Sequence, residues 1–131
     1  MDFTGVYHYQ RFWSTLRFVD PADKDGLVVC YLLTADTRLF RTAKRSIERR
    51  DFSLRDVRPK NCSEDGYALF TATRDLIHDT GKISLSDLAD QKQFSYRTLT
   101  AICNAVQIKR IGLNAIHIQE KNGKFYASCS Y

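Results

Sequence analysis

Nine basic side chains crowd one short stretch of this chain: Arg38, Arg41, Lys44, Arg45, Arg49, Arg50, Arg55, Arg58 and Lys60. Only Glu48, Asp51 and Asp56 oppose them, so residues 38–60 carry +6 of an overall +5 and the remainder sums to −1. A field gathered in one segment attracts a polyanion, or an acidic protein face, better than the same charge dispersed. The ordinary alternative is a solvated helix face. Catalytic chemistry is less well supplied. His8, His78 and His117 stand apart from one another. Cys30, Cys62, Cys103 and Cys129 are scattered without a Cys-x-x-Cys pair, the local spacing that zinc sites usually show. They read as inert free thiols, with a disulfide, metal or reactive role as the lesser alternative. No phosphate-cradling glycine motif, His-Glu-x-x-His or Gly-x-Ser-x-Gly occurs. No enzyme activity, metal or cofactor is expected, although a Cys–His pair assembled only in three dimensions stays open.

The elements that must position these residues read as helices in the first half. Tyr9, Phe12, Trp13 and Leu16 fall at i, i+3, i+4 and i+7, one helical face. A short strand at Val6–Gln10 is the competing reading. Asp20-Pro21-Ala22-Asp23 has a helix-start pattern, with Asp20 as cap and Pro21 in the first turn. Leu27 to Leu33 is apolar nearly all round, which predicts a central buried helix or, alternatively, a buried strand. Asp36 caps a helix over about 37–50 with a narrow apolar stripe of Phe40, Ala43 and Ile47. Ser53 with Asp56 suggests a further capped turn, and Pro59 to Gly66 a connecting loop.

In the second half, residues 66–79 read as a helix with Leu69, Thr73, Leu76 and Ile77 inward and Gly81 ending it in the left-handed conformation. Ser84 caps a short helix whose inward residues would be Leu85, Leu88 and Ala89. Ser95 caps the next, with Phe94 and Leu99 spaced as a hydrophobic staple and Leu99, Ile102, Cys103 and Val106 as its buried stripe. Ala115 to Tyr131 reads as a β-hairpin turning at Asn122-Gly123.

Helix, short helix, turn, helix and hairpin is the order of a winged helix-turn-helix. Leu85-Ser-Asp-Leu88-Ala89, five residues, then Ser95-Tyr-Arg-Thr98-Leu99 resembles that superfamily over about residues 66–131, half the chain. The departure is the turn, which holds Lys92 and Gln93 where a glycine and an apolar residue are usual. The resemblance implies a recognition helix from residue 96 that presents Arg97, Thr100, Asn104 and Gln107 to base edges in a major groove. Tyr96, Ser95 and Lys92 would lie near phosphates, and Lys121 and Lys124 would flank the tip of a wing. Many such domains bind protein instead, and a fold alone does not set function.

The expectation is therefore a mainly α (α+β) chain. Residues 1–62 form a helical N-terminal subdomain carrying the basic segment 38–60. Residues 63–131 form a winged helix-turn-helix with a terminal β-hairpin, and the two make one compact domain. The expected function is a non-catalytic, small DNA-binding regulator that reads double-stranded DNA with helix 96–110. Arg41, Lys44, Arg45 and Arg49 would add backbone contacts, and a homodimer could pair two half-sites. The alternatives are a protein-binding module, such as a phage- or plasmid-type inhibitor of a nucleic-acid-handling complex, acting through the 38–60 face, and a protein that binds RNA or DNA by charge alone. Seven tyrosines, eight phenylalanines and one tryptophan argue against disorder. The absence of a long apolar run argues against a membrane span, and a start without basic and apolar regions argues against secretion. The expected compartment is the cytoplasm.

Overall fold

A computed structural model describes residues 5–121 and 124–129, with side chains from Tyr7 to Ala115. Six helices follow in order: α1 (Val6–Thr15), α2 (Lys24–Leu33), α3 (Thr37–Glu48), α4 (Glu64–His78), α5 (Leu85–Ala89) and α6 (Tyr96–Ile111). Single 3₁₀ turns extend α1 and α6, at Leu16–Phe18 and Gly112–Ala115.

The apolar run 27–33 is the central helix. Every residue of α2 from Gly26 to Leu33 is buried, and α2 packs chiefly on α6 and α4. Burial of each large aliphatic side chain contributes about 1.5–3 kcal/mol. Asp23, rather than Asp20, is the cap: its Oδ1 accepts from Gly26 N at 3.0 Å, while Asp20 Oδ1 accepts from Ala22 N within the preceding turn. Gly26 permits this tight start, because a Cβ there would lie 2.6 Å from Asp23 Oδ2 and 2.7 Å from Val19 Cγ2.

A helix without an exposed side must satisfy its last carbonyls inside the protein. Thr34 Oγ1 donates to Cys30 O at 2.6 Å and to Tyr31 O at 3.1 Å. α1 supplies the rest. His8 Nε2 donates to Tyr31 O at 2.7 Å and Arg11 Nε donates to Thr34 O at 2.7 Å. The inward face of α1 is thus His8, Phe12 and Thr15, not the expected Tyr9–Phe12–Trp13–Leu16 stripe; Trp13 is 55% exposed. Two polar side chains, matched to the end of α2, outrank an aromatic pattern. Phe12 and His8 both pack on the Tyr31 ring, with centroids 5.8 Å and 4.8 Å away.

Asp36 caps α3 as expected, accepting from Leu39 N at 2.9 Å. Leu39, Ala43 and Ile47 face inward at i, i+4 and i+8, and Phe40 is only half-buried. The turn expected from Ser53 and Asp56 forms no helix. α4 starts earlier than expected, capped by Ser63, and ends on Asp79 in the left-handed region (φ 54°), two residues before Gly81. Leu69 and Thr73 are buried, and Leu76 and Ile77 partly so. The Ser84–Asp87 capping box closes α5 at its start, yet Leu85, expected inward, is 85% exposed. Ser95 caps α6, accepting from Thr98 N at 3.2 Å.

α2 and α6 run antiparallel. Asn104 Nδ2 donates to Tyr31 Oη at 2.9 Å, Lys109 pairs with Asp25, and Lys24 Nζ donates to Arg110 O at 3.1 Å. The described core joins residues on both sides of position 62.

The expected α+β class with a winged helix-turn-helix is corrected to a mainly helical fold, because helices supply the described core. Ile116–Lys121 and Lys124–Cys129 pair antiparallel, but with each other alone among the described residues. A lone two-stranded ribbon is marginal by itself and needs a neighbour to pack on; here its second strand lies against α1. The expected Asn122-Gly123 turn lies outside the described residues.

Burial lowers the His8 imidazole from its ordinary 6.5 to about 3, against the opposing pull of its bond to Tyr31 O. A carbonyl only accepts, so Nε2 carries a proton, and burial keeps the ring neutral near pH 7. Between these two values the unfolded chain binds the extra proton and the folded one does not. Stability therefore falls as pH drops from about 7 toward 3. The urea midpoint should be lower at about pH 5 than at about pH 7.5, and the His8→Gln variant, whose amide can serve the same carbonyl, should lose most of that difference. A wild-type midpoint flat across this interval would contradict the burial of His8.

Candidate nucleic-acid interface

The basic side chains of 38–60 are exposed. With Leu39, Ala43 and Ile47 turned inward, α3 leaves Arg38, Arg41, Lys44 and Arg45 exposed, followed by exposed Arg49 and Arg50. Arg38, Arg41 and Arg45 recur at three- and four-residue spacing and so share one side of the helix. None of these six cations makes a salt bridge among the described residues. Glu48 is the one carboxylate of α3 itself. A surface of unpaired guanidinium groups keeps its donors available, and guanidinium pairs with phosphate through two parallel N–H···O bonds.

The end of α3 is unusual. Arg50 N donates to Ile47 O and Asp51 N to Ser46 O, both at 2.9 Å, which together form a Schellman motif. The left-handed position of that motif ordinarily takes glycine, and here it is Arg50, at φ 58°. A side chain in this conformation costs about 1 kcal/mol. Part of that is offset by the favourable placement of cations at a helix C-terminus. The sequence shows Arg50 only as one member of a cluster; its backbone conformation emerges from the cap.

Beyond the cap, Asp51 Oδ1 accepts from Ser53 N at 3.1 Å and Ser53 Oγ at 2.7 Å. These two bonds, with Arg55 nearby, hold its carboxyl below its ordinary value. Its contact with Arg55, at 3.9 Å, is long and exposed and leaves the arginine charge largely uncompensated.

The helix expected to read bases is placed differently. Asn104 is completely buried on Tyr31 Oη. Thr100 is half-buried, and its Oγ1 is enclosed without a hydrogen-bond partner among the described residues. Gln107 is also half-buried. Arg97 is exposed but lines a small cavity of about 100 Å³ together with Asp36 and Asp65, so it sits among carboxylates. Tyr96 and Lys92 are exposed. The inward face is Thr98, Ala101, Ile102, Asn104, Ala105 and Ile108, while Val106, expected inside, is 39% exposed. α6 is rotated by about one residue from the expected orientation. The small side chains Ala101 and Ala105, one turn apart, let it approach α2 closely, and Asn104 gains a buried partner. The four proposed base readers do not form one exposed row. Lys121 and Lys124 face each other across the strand pair; their side chains lie outside the described residues.

The remaining chemistry is sparse. Burial pushes the Cys30 thiol up to about 12, far from a reactive thiolate, and burial with nearby Asp36 raises Cys62. Among the described residues, no group of three or more His, Cys, Asp or Glu side chains is placed to hold a metal ion. No described helix is long and apolar enough to cross a membrane.

No protein-family model, no curated protein and no solved structure matches the chain.

Asn104 is thus a structural residue. Asn104→Ala, which leaves Tyr31 Oη without its buried donor, should lower unfolding free energy by about 1–3 kcal/mol in urea titrations. Tyr31→Phe in the same background should add less than it does alone, since the two residues share one bond. Additive losses would show that the bond contributes nothing.

Proposed function

We propose that this chain is a non-catalytic nucleic-acid-binding protein that grips the phosphate backbone by charge, through α3 and its C-terminal cap, without reading base sequence. The observation that carries this reading is the set of exposed cations Arg38, Arg41, Lys44, Arg45, Arg49 and Arg50, free of salt bridges among the described residues. Polyanion binding needs such a field and little else, because each phosphate neutralised releases counterions from the nucleic acid. Arg50 adds support: an arginine occupies a backbone position that glycine fills at lower conformational cost. Departures from local preference of this kind are expected where function retains a residue. Sequence-specific readout by α6 loses support from the burial of Asn104 and the partial burial of Thr100 and Gln107.

Fluorescence anisotropy on unrelated duplexes should give similar affinities, falling steeply as salt rises. Arg41→Ala with Arg45→Ala should weaken binding to all of them and reduce the slope of log affinity against log salt by about two. Duplex binding indifferent to this double substitution overturns the assignment. In that case an acidic protein face becomes the partner to seek for the same surface. Arg50→Gly should raise unfolding free energy by up to about 1 kcal/mol while lowering duplex affinity. A variant that is no more stable than wild type would remove the argument from backbone strain.

A further inference from the structure

A second cationic feature lies apart from α3. The loop after it and the C-terminal half of α4 border an open groove of about 460 Å³, lined by Arg55, Arg58, Arg74, His78, Phe70 and Pro59 with the buried Leu54 and Val57. This volume falls among those of ligand pockets, about 300–1,000 Å³. Phe70, Arg74 and His78 recur every four residues, so one stripe of α4 forms one wall. The loop forms the other. Val57 N donates to Leu54 O at 3.2 Å, and Arg58 Nη1 donates to Arg55 O at 2.7 Å, which fixes that guanidinium in place. His78 Nε2 donates to Ser53 O at 2.7 Å and staples the loop to α4. Leu54 holds its place in the floor at φ 66°, a conformation bulky residues rarely adopt.

The charge in this groove is unbalanced. No carboxylate lines it. Asp75, next to Arg74 in sequence, is committed elsewhere. Burial pushes its carboxyl up, but bonds from Thr80 Oγ1, Lys82 N and Ile83 N outweigh that and hold it below its ordinary value. Asp51 is held by Ser53 and reaches Arg55 only through the long, exposed 3.9 Å contact. Arg74 makes no hydrogen bond or ion pair among the described residues. Three arginines line the groove together with an aromatic ring, a proline and two buried aliphatic side chains. An anion alone would not need the apolar half, and an apolar ligand would not need the arginines.

We propose that this groove binds a nucleoside 5′-phosphate, with the phosphate held by Arg55, Arg58 and Arg74 and the base against Phe70 and Pro59. Guanidinium forks fit phosphate oxygens, and a flat base can stack on an aromatic or proline surface. The ligand could be a free mononucleotide or the phosphorylated end of a strand. The site is separate from α3, so its success or failure is independent of the reading given above.

The test is an amide-resolved NMR titration of the full chain with adenosine 5′-monophosphate, adenosine, inorganic phosphate, and short single strands bearing a 5′-phosphate or a 5′-hydroxyl. The monophosphate should shift amides in 53–59 and 70–78 saturably, and adenosine or phosphate alone should bind about ten-fold more weakly or worse. Arg74→Gln, at an exposed position, should weaken monophosphate binding about ten-fold with the rest of the spectrum unchanged. Phe70→Leu should weaken the monophosphate and leave phosphate binding as it was. The Arg41→Ala, Arg45→Ala protein should bind the monophosphate like wild type. Tighter binding of the 5′-phosphorylated strand than of the mononucleotide identifies a strand end, and the reverse identifies a free nucleotide. The proposal is overturned if the monophosphate moves no groove amide or if Arg74→Gln binds it as wild type does. It is also overturned if inorganic phosphate binds as tightly as the monophosphate.

Discussion

The enclosure of α2 from Gly26 onward is the constraint on which the other elements depend. Its buried run, Gly26 to Leu33, supplies apolar surface on every side, so each neighbour must present a matching face. Its carbonyl end must also be answered without water. His8 and Arg11, spaced three apart on α1, answer it together with Thr34. That pairing sets the rotation of α1 and turns Trp13 and Tyr7 outward. A buried neutral imidazole is the consequence, and it links the stability of the core to acidity.

α6 obeys the same constraint from the other side. It approaches α2 through Ala101 and Ala105, and Tyr31 needs a partner for its buried hydroxyl, which Asn104 provides. The ion pair of Lys109 with Asp25 and the bond from Lys24 to the Arg110 carbonyl then fix the antiparallel register at the other end. These contacts leave α6 with little free polar surface of the kind a base-reading helix requires. Much of its polar chemistry serves the core, and the exposed cations are concentrated on α3.

α3 contributes little to the interior, three buried residues in twelve, and is correspondingly free to carry charge. Its cations continue past the helix into a cap and loop whose backbone adopts left-handed conformations at Arg50, Leu54 and Asn61. The same loop that extends the basic surface folds back on α4 and is stapled there by His78. One segment therefore supplies both exposed cations on α3 and an open cationic groove against α4.

Much of this was legible in the residues. Runs and caps are local: the 27–33 run, Asp36 before α3, the Ser84–Asp87 box and Ser95 before α6 all depend on side chains within a few positions of the backbone they satisfy. The concentration of charge in 38–60 is likewise a property of order alone. What only the tertiary structure decided is which side of each helix faces in. α1 and α6 are weakly patterned, with polar residues on both sides. Their rotation was set by Tyr31 O and Tyr31 Oη, acceptors 23 and 73 positions away from their partners His8 and Asn104. Buried hydrogen bonds between distant residues have no signature in local spacing, so the outward row expected on α6 gave way to the demands of a helix it touches only after folding.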